Sequence, residues 1–154
     1  MELEEMDPQC TRLIHQILPT AQAEDDPAVM DRLYSSPTAG REPDFEDDWK
    51  EYVHPDLRHI FQNAQQIVQA DLKGLAHDLV AGFASLQIPV KNLEAWVHTL
   101  NQARLAIATR YDFTDEDMEK PHSLGSDARS RALFQVHFYG FLQECFLQQL
   151  DTNG

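Results

Sequence analysis

The clearest period along the chain lies between Val90 and Asp112, where Leu93, Trp96, Val97, Leu100, Ala103, Ile107 and Tyr111 recur three and four residues apart and share one side of a helix. A second run, opened by Pro55, carries Leu57, Ile60, Phe61, Ala64, Ile67, Val68, Leu72, Leu75 and Leu79 at the same period for about six turns. In a third, from Leu133 to Leu150, 11 of 18 residues are apolar and point in nearly every direction, the pattern of a helix central in a bundle or covered by another subunit. Its polar residues His137, Glu144 and Gln148, with Ser130 before them, gather on one strip.

These runs predict three long helices near 56–82, 90–111 and 126–150, the last capped by Ser126-Asp127. Asp7-Pro8 reads as an N-cap with proline at the first helical position, starting a helix near 8–18 that Pro19 ends. Asp26-Pro27 repeats that signal for a helix over 27–34. After a loop over 35–43, Phe45, Trp49, Tyr52 and Val53 follow an acidic first turn and predict a short helix over 44–53. Its aromatics are expected to anchor it to the body, the alternative being a ridge that binds peptide. Gly82 is placed near the end of the second long helix, Gln87-Ile88-Pro89 is a crossing, and no segment reads as a strand. The expected fold is all-α, a single helical domain over 1–154.

At 154 residues and 17.7 kDa the chain can bury one core without staples. Cys10 and Cys145 are too few for a disulfide framework and are read as core residues in a reducing, cytoplasmic setting. The net charge of −14 is uneven: residues 1–53 hold 14 acidic against 4 basic residues, the remainder 12 against 8. So negative a chain repels phosphate backbones, and it has no membrane-spanning run, so neither nucleic acid nor membrane is an expected partner.

No nucleotide-binding, redox, zinc-protease or hydrolase motif is present. The seven histidines are scattered, and the two Glu-x-x-His pairs, Glu51 to His54 and Glu119 to His122, each abut a proline rather than lying inside a long helix. The acidic run after Tyr111 lacks the spacing of a calcium loop, and Cys145 and His137 face about 80° apart on a helix. No catalytic residue, metal ligand or cofactor is assigned. The informative anomalies are polar residues within apolar stripes: Arg104, Asp71 and Glu144, with Asn101 one turn before Arg104. A guanidinium inside such a stripe needs pairing, so Asp71 and Glu144 are expected to reach it from neighbouring helices as a buried ion-pair network. The alternative is a small-molecule or anion site lined by Arg104, Asn101 and Glu144.

Trp96-x-x-x-Leu100-Asn101-x-x-Arg104-Leu105-x-x-x-x-Arg110, followed by Gly140-Phe-Leu-Gln143-Glu144-x-x-Leu147, resembles a bacterial family of domains of unknown function best known from actinobacteria, with a W-x-x-x-L-N-x-x-R-L block. The resemblance implies a small cytoplasmic helical protein, in some cases labelled a regulator and often encoded near a Clp protease adaptor. It makes Trp96, Asn101, Arg104, Arg110 and Glu144 motif positions and carries no activity. The chain departs from the pattern at its N-terminus, where a leading strand-like segment is expected to be missing. Together these readings favour a non-enzymatic interaction or regulatory module with an unnamed protein partner, expected to pair as a homodimer through the final helix. The alternative function is small-molecule or anion binding, including an enzyme, around Arg104.

Overall fold

The computed structural model describes residues 1–22, 26–38, 41–77, 80, 82–119 and 127–153. The helices are α1 (Pro8–His15), α2 (Ile17–Ala21), α3 (Pro27–Leu33), α4 (Pro43–Asp48), α5 (His54–Leu72), α6 (Leu93–Arg110), α7 (Asp115–Glu119) and α8 (Ala128–Asn153). A π-helical turn, Trp49–Val53, joins α4 to α5, and a 3-10 turn, Val90–Asn92, leads into α6. The fold is mostly helical. It also contains a small antiparallel sheet of β1 (Glu2–Met6), β2 (Ala76–His77) and β3 (Ala84–Gln87), with β3 in the middle.

Both Asp-Pro starts work as the sequence predicts. The Asp7 carboxylate accepts from the Cys10 amide at 2.7 Å, and Asp26 accepts from Ala28 and Val29 at 3.2 and 3.4 Å, filling donors that a helix start leaves open. The second long helix is shorter than its apolar run. It stops at Leu72, because Lys73, Gly74 and Leu75 turn back on the carbonyls of Ala70, Asp71 and Leu72. Leu75 leaves the helix, Ala76 and His77 enter β2, and the part of the expected helix over 78, 79 and 81 lies outside the described residues.

The all-α expectation is roughly right for this mostly helical fold but lacked the small sheet, and the leading strand taken as missing is present as β1. Glu2 and Leu3 pair with Gln87 and Leu86, whereas Met6 pairs with Ala84, so the ladder slips between Leu3 and Met6. Glu5 takes φ 52 in that interval, a left-handed conformation typical of a bulge. The slip turns Met6 inward, where strict alternation from Leu3 would expose it.

One core cluster runs from Met6 and Leu86 of the sheet, with Ile88 just after β3, through Ile14 and Ile17 to α6 and α8. Helix α6 occupies its centre: Leu93, Trp96, Leu100 and Ala103 have no exposed surface. It packs against α8, α5, α2 and α3, so the long helices are arranged around α6 rather than as three equal partners. Helix α8 turns Ala132, Val136, Tyr139, Leu142 and Phe146 inward. The Tyr139 hydroxyl donates to the Leu13 carbonyl at 2.6 Å and ties α8 to α1.

The short acidic helix seats only part of its aromatic set. Trp49 donates its indole N–H to the Tyr34 carbonyl at 2.9 Å, while Phe45 and Tyr52 are exposed. The π-turn takes up more chain per turn than an α-helix and carries these residues off the expected stripe.

Candidate functional site

Arg104 lies partly buried between α6 and α8, and the sequence reading assigned its partners wrongly. Its Nη1 donates at 2.7 Å to Oε1 of Gln143, a neutral side chain only 8% exposed, whose Nε2 in turn donates to the Val97 carbonyl at 3.0 Å. The guanidinium rests on Gly140 of α8: a Cβ built there would stand 3.4 Å from Arg104 Cζ and 3.5 Å from Nε and Nη2. Nε has no hydrogen-bond partner among the described residues, and burial pushes the guanidinium pKa down. The cation therefore faces α8 at Gly140 with room for a Cβ between them, and its partner is a neutral amide.

The expected carboxylates are elsewhere. Asp71, at the end of α5, accepts from the Trp96 indole at 2.9 Å and from Asn92 Nδ2 at 3.1 Å on each oxygen, fastening α5 to the start of α6. Glu144 is exposed and accepts from Gln148 at 3.4 Å, one turn along α8, and Asn101 is exposed on α6. The structure therefore brings Gln143 to Arg104 and leaves Asp71, Glu144 and Asn101 apart from it. Arg110, the last residue of α6, pairs at 3.3 Å with Asp26, the cap of α3. Two adjacent tethers result, α5–α6 through Asp71 and α6–α8 through Arg104, on either side of Trp96, whose ring meets Phe146 edge-on with centroids 6.0 Å apart.

None of the four clefts whose walls are described includes Arg104. One, of about 650 Å³, lies where α2, α3 and α5 meet over α6 and is walled by six glutamines: Gln22, Gln62, Gln65, Gln66, Gln69 and Gln102. Gln102 is 2% exposed. Its Oε1 accepts from Gln65 Nε2 at 2.7 Å, and its Nε2 has no hydrogen-bond partner among the described residues. The sequence does carry a signal for this wall, since four of the six glutamines recur on α5 at i, i+3, i+4 and i+7 beside the apolar stripe. A second cleft, of about 710 Å³, lies between α3 and the acidic helix, where Glu46 accepts from Ser36 and from Thr38 and the Tyr34 and His54 rings approach to 4.0 Å.

Among the described residues no group of three or more His, Cys, Asp or Glu side chains is placed to hold a metal ion, and no helix is long and apolar enough to cross a membrane. His122 of the Glu119–His122 pair lies outside the described residues, as does Ser126 of the expected cap, whereas the acidic residues after Tyr111 are described and Asp115–Glu119 form α7. Asp127 accepts from the Ser130 amide at 2.6 Å. The thiols of Cys10 and Cys145 are free. Burial, then the Asp7 carboxylate, pushes the Cys10 thiol up and away from nucleophilic use.

The model of the family described as Domain of unknown function (DUF2017) matches residues 2–150, nearly the whole chain. The chain belongs to this family. No curated protein and no solved structure matches it. The DUF2017 match begins within β1 and runs into the last turns of α8, so it takes in both tethers and the glutamine wall.

Proposed function

We propose that this DUF2017 protein is a non-enzymatic interaction or regulatory module, a single cytoplasmic domain that pairs as a homodimer through the outer face of α8. The observation that carries the reading is an apolar stripe on α8 that the core covers only in part, with Phe138 and Cys145 packed against it and Phe141 left exposed. Phe134, Phe138, Phe141 and Cys145 recur at spacings of four, three and four on the side of α8 away from its buried stripe, and Phe141 is 64% exposed. Two copies laid stripe against stripe would seat each Phe141 on its partner's helix in an isologous contact. None of the four clefts whose walls are described includes Arg104, which weighs against the alternative of an anion or small-molecule site there, because such a site needs a cavity open beside the guanidinium.

Size-exclusion chromatography with light scattering tests the pairing. The wild-type chain is expected at twice its 17.7 kDa mass, and Phe141→Ser at the monomer mass with an unchanged far-ultraviolet circular dichroism spectrum. A wild-type chain that stays monomeric at its highest soluble concentration overturns the reading.

A further inference from the structure

We propose that the exposed face of the acidic helix, α4 with the π-turn that follows it, docks a basic segment of a partner protein, and that arginine side chains of the segment are held by its carboxylates and aromatic rings. The inference goes beyond the α8 pairing and shares no residue with that stripe.

The first support is charge that the fold leaves unused. Residues 42–56 hold seven acidic side chains and one lysine, Lys50, with Arg41 and Arg58 at the flanks. Two of the acids have a local role: Asp44 stands in the first turn, where the helix dipole favours it, and Glu46 accepts from Ser36 and Thr38. Asp47, Asp48 and Glu51 lie beyond that turn and are exposed, and their carboxylates make no hydrogen bond or ion pair among the described residues. Asp44 and Asp48, then Asp48 and Glu51, are four and three residues apart, a spacing at which like charges repel. A cationic segment laid on this face offsets that repulsion.

The second support is the set of rings among those carboxylates. Trp49 is seated by its bond to the Tyr34 carbonyl, but Phe45 is 39% and Tyr52 63% exposed. The Phe45 and Trp49 ring centroids are 6.2 Å apart, and the Tyr52 ring meets no other ring among the described residues. Phe45 to Tyr52 spans about 10 Å of helix, so rings and unpaired carboxylates interleave over one short length. An arginine side chain lies flat on a ring and pairs with a carboxylate through the same planar fork, which a lysine ammonium cannot do. The occupant is therefore arginine-bearing and not merely cationic.

The third support is a concavity on the same helix. The cleft of about 710 Å³ between α3 and the acidic helix has Trp49 in its wall, and its charged walls among the described residues are Asp31, Glu46 and Lys50. Asp31 is exposed, and its carboxylate has no partner among the described residues. Ala39 and Gly40, the nearest positions in sequence outside the described residues, carry no charge. The lining thus offers two carboxylates and an indole against one ammonium, and a cleft of this size admits an arginine side chain of the segment.

The test is a titration of the ¹⁵N-labelled full chain, at about 0.15 M salt, with short N-acetylated, C-amidated peptides that alternate arginine with alanine. It is read at the backbone amides of α4 and the π-turn and at the indole N–H signals of Trp49 and Trp96. Parallel arms carry lysine or glutamate in place of every arginine. The expected result is saturable movement of the Trp49 indole and of the amides from Asp44 to Tyr52 with the arginine peptide, while the Trp96 indole stays still. The lysine peptide is expected to bind at least about threefold more weakly, and the glutamate peptide not at all. Tyr52→Ala, which leaves the charge unchanged at an exposed position, is expected to weaken binding about threefold or more. Asp47→Asn with Asp48→Asn is expected to weaken it about tenfold, whereas Glu2→Gln with Glu4→Gln, which removes the same charge from β1, should leave it within about twofold. No saturable movement of these signals, equal binding of the arginine and lysine peptides, undiminished binding by Tyr52→Ala or by the Asp47 and Asp48 variant, or as large a loss in the β1 variant overturns the proposal.

Discussion

Asp71 and Glu144 carry the same charge and sit on two of the long helices, yet their surroundings set different consequences for removing them. Asp71→Ala leaves the Trp96 indole and the Asn92 amide without their acceptor, and Trp96 has no exposed surface through which water could replace it. A loss of about 1 to 3 kcal/mol is expected, read as a lower urea midpoint with the tryptophan emission following the same transition. Glu144→Ala should stay within about 0.5 kcal/mol of the wild type, because its carboxylate already lies in solvent. Gly140 separates size from shape. Gly140→Ala places a methyl at ordinary contact distance from Arg104 and should gain up to about 1 kcal/mol in helix stability. Gly140→Leu must push the guanidinium off α8 and break its bond to Gln143, so its melting temperature should fall below that of the wild type. Arg104 was legible in the sequence as a polar residue in an apolar stripe, but its partner was not. An apolar stripe marks where a cation needs a partner, but nothing in it marks a neutral acceptor such as Gln143, one turn from Gly140 on α8.

At the scale of elements, the junction of the acidic helix with α5 holds a pH-sensitive group, His54. Burial, then the nearby Arg58 and Lys50 charges, pushes the His54 imidazole pKa down in the folded chain. The unfolded chain therefore binds the proton more readily, and the stability this group contributes is present above its ordinary value near 6.5 and is lost as pH falls through the lowered folded value. The urea midpoint should drop between about pH 7.5 and 5.5, and His54→Phe should flatten that slope. Helix starts were well marked in the sequence, since Asp-Pro states both a cap and a first turn. Strand β3 was readable only in hindsight. Ala84, Leu86 and Ile88 alternate inward, but three positions after a glycine are too few to outweigh a preceding helical run. Strand β1 was less legible, because the bulge at Glu5 breaks the period of two on which recognition depends. The π-turn hid the outward position of Tyr52 in the same way, by changing the number of residues per turn.

At the scale of the whole molecule, the charge of −14 bears on any self-association. Two such chains repel each other, so the pairing proposed for α8 should tighten as salt rises from about 0.02 to 0.3 M, visible as a growing dimer fraction in sedimentation velocity. A salt-weakened dimer would point instead to ion pairs across the contact. The molecule also joins distant parts of its chain in an unequal way. The α6–α8 contact can form from the C-terminal half of the sequence alone, but the sheet needs Met1 to meet Ile88, 87 positions away. Closing so long a loop is entropically slow, and only a few ladder bonds reward it. During refolding, β3 amides should acquire protection from hydrogen exchange after those of α6. In the native protein the first strand should be the edge that opens earliest, exposing Leu86 and Ile88 to solvent while the helices around Trp96 remain closed.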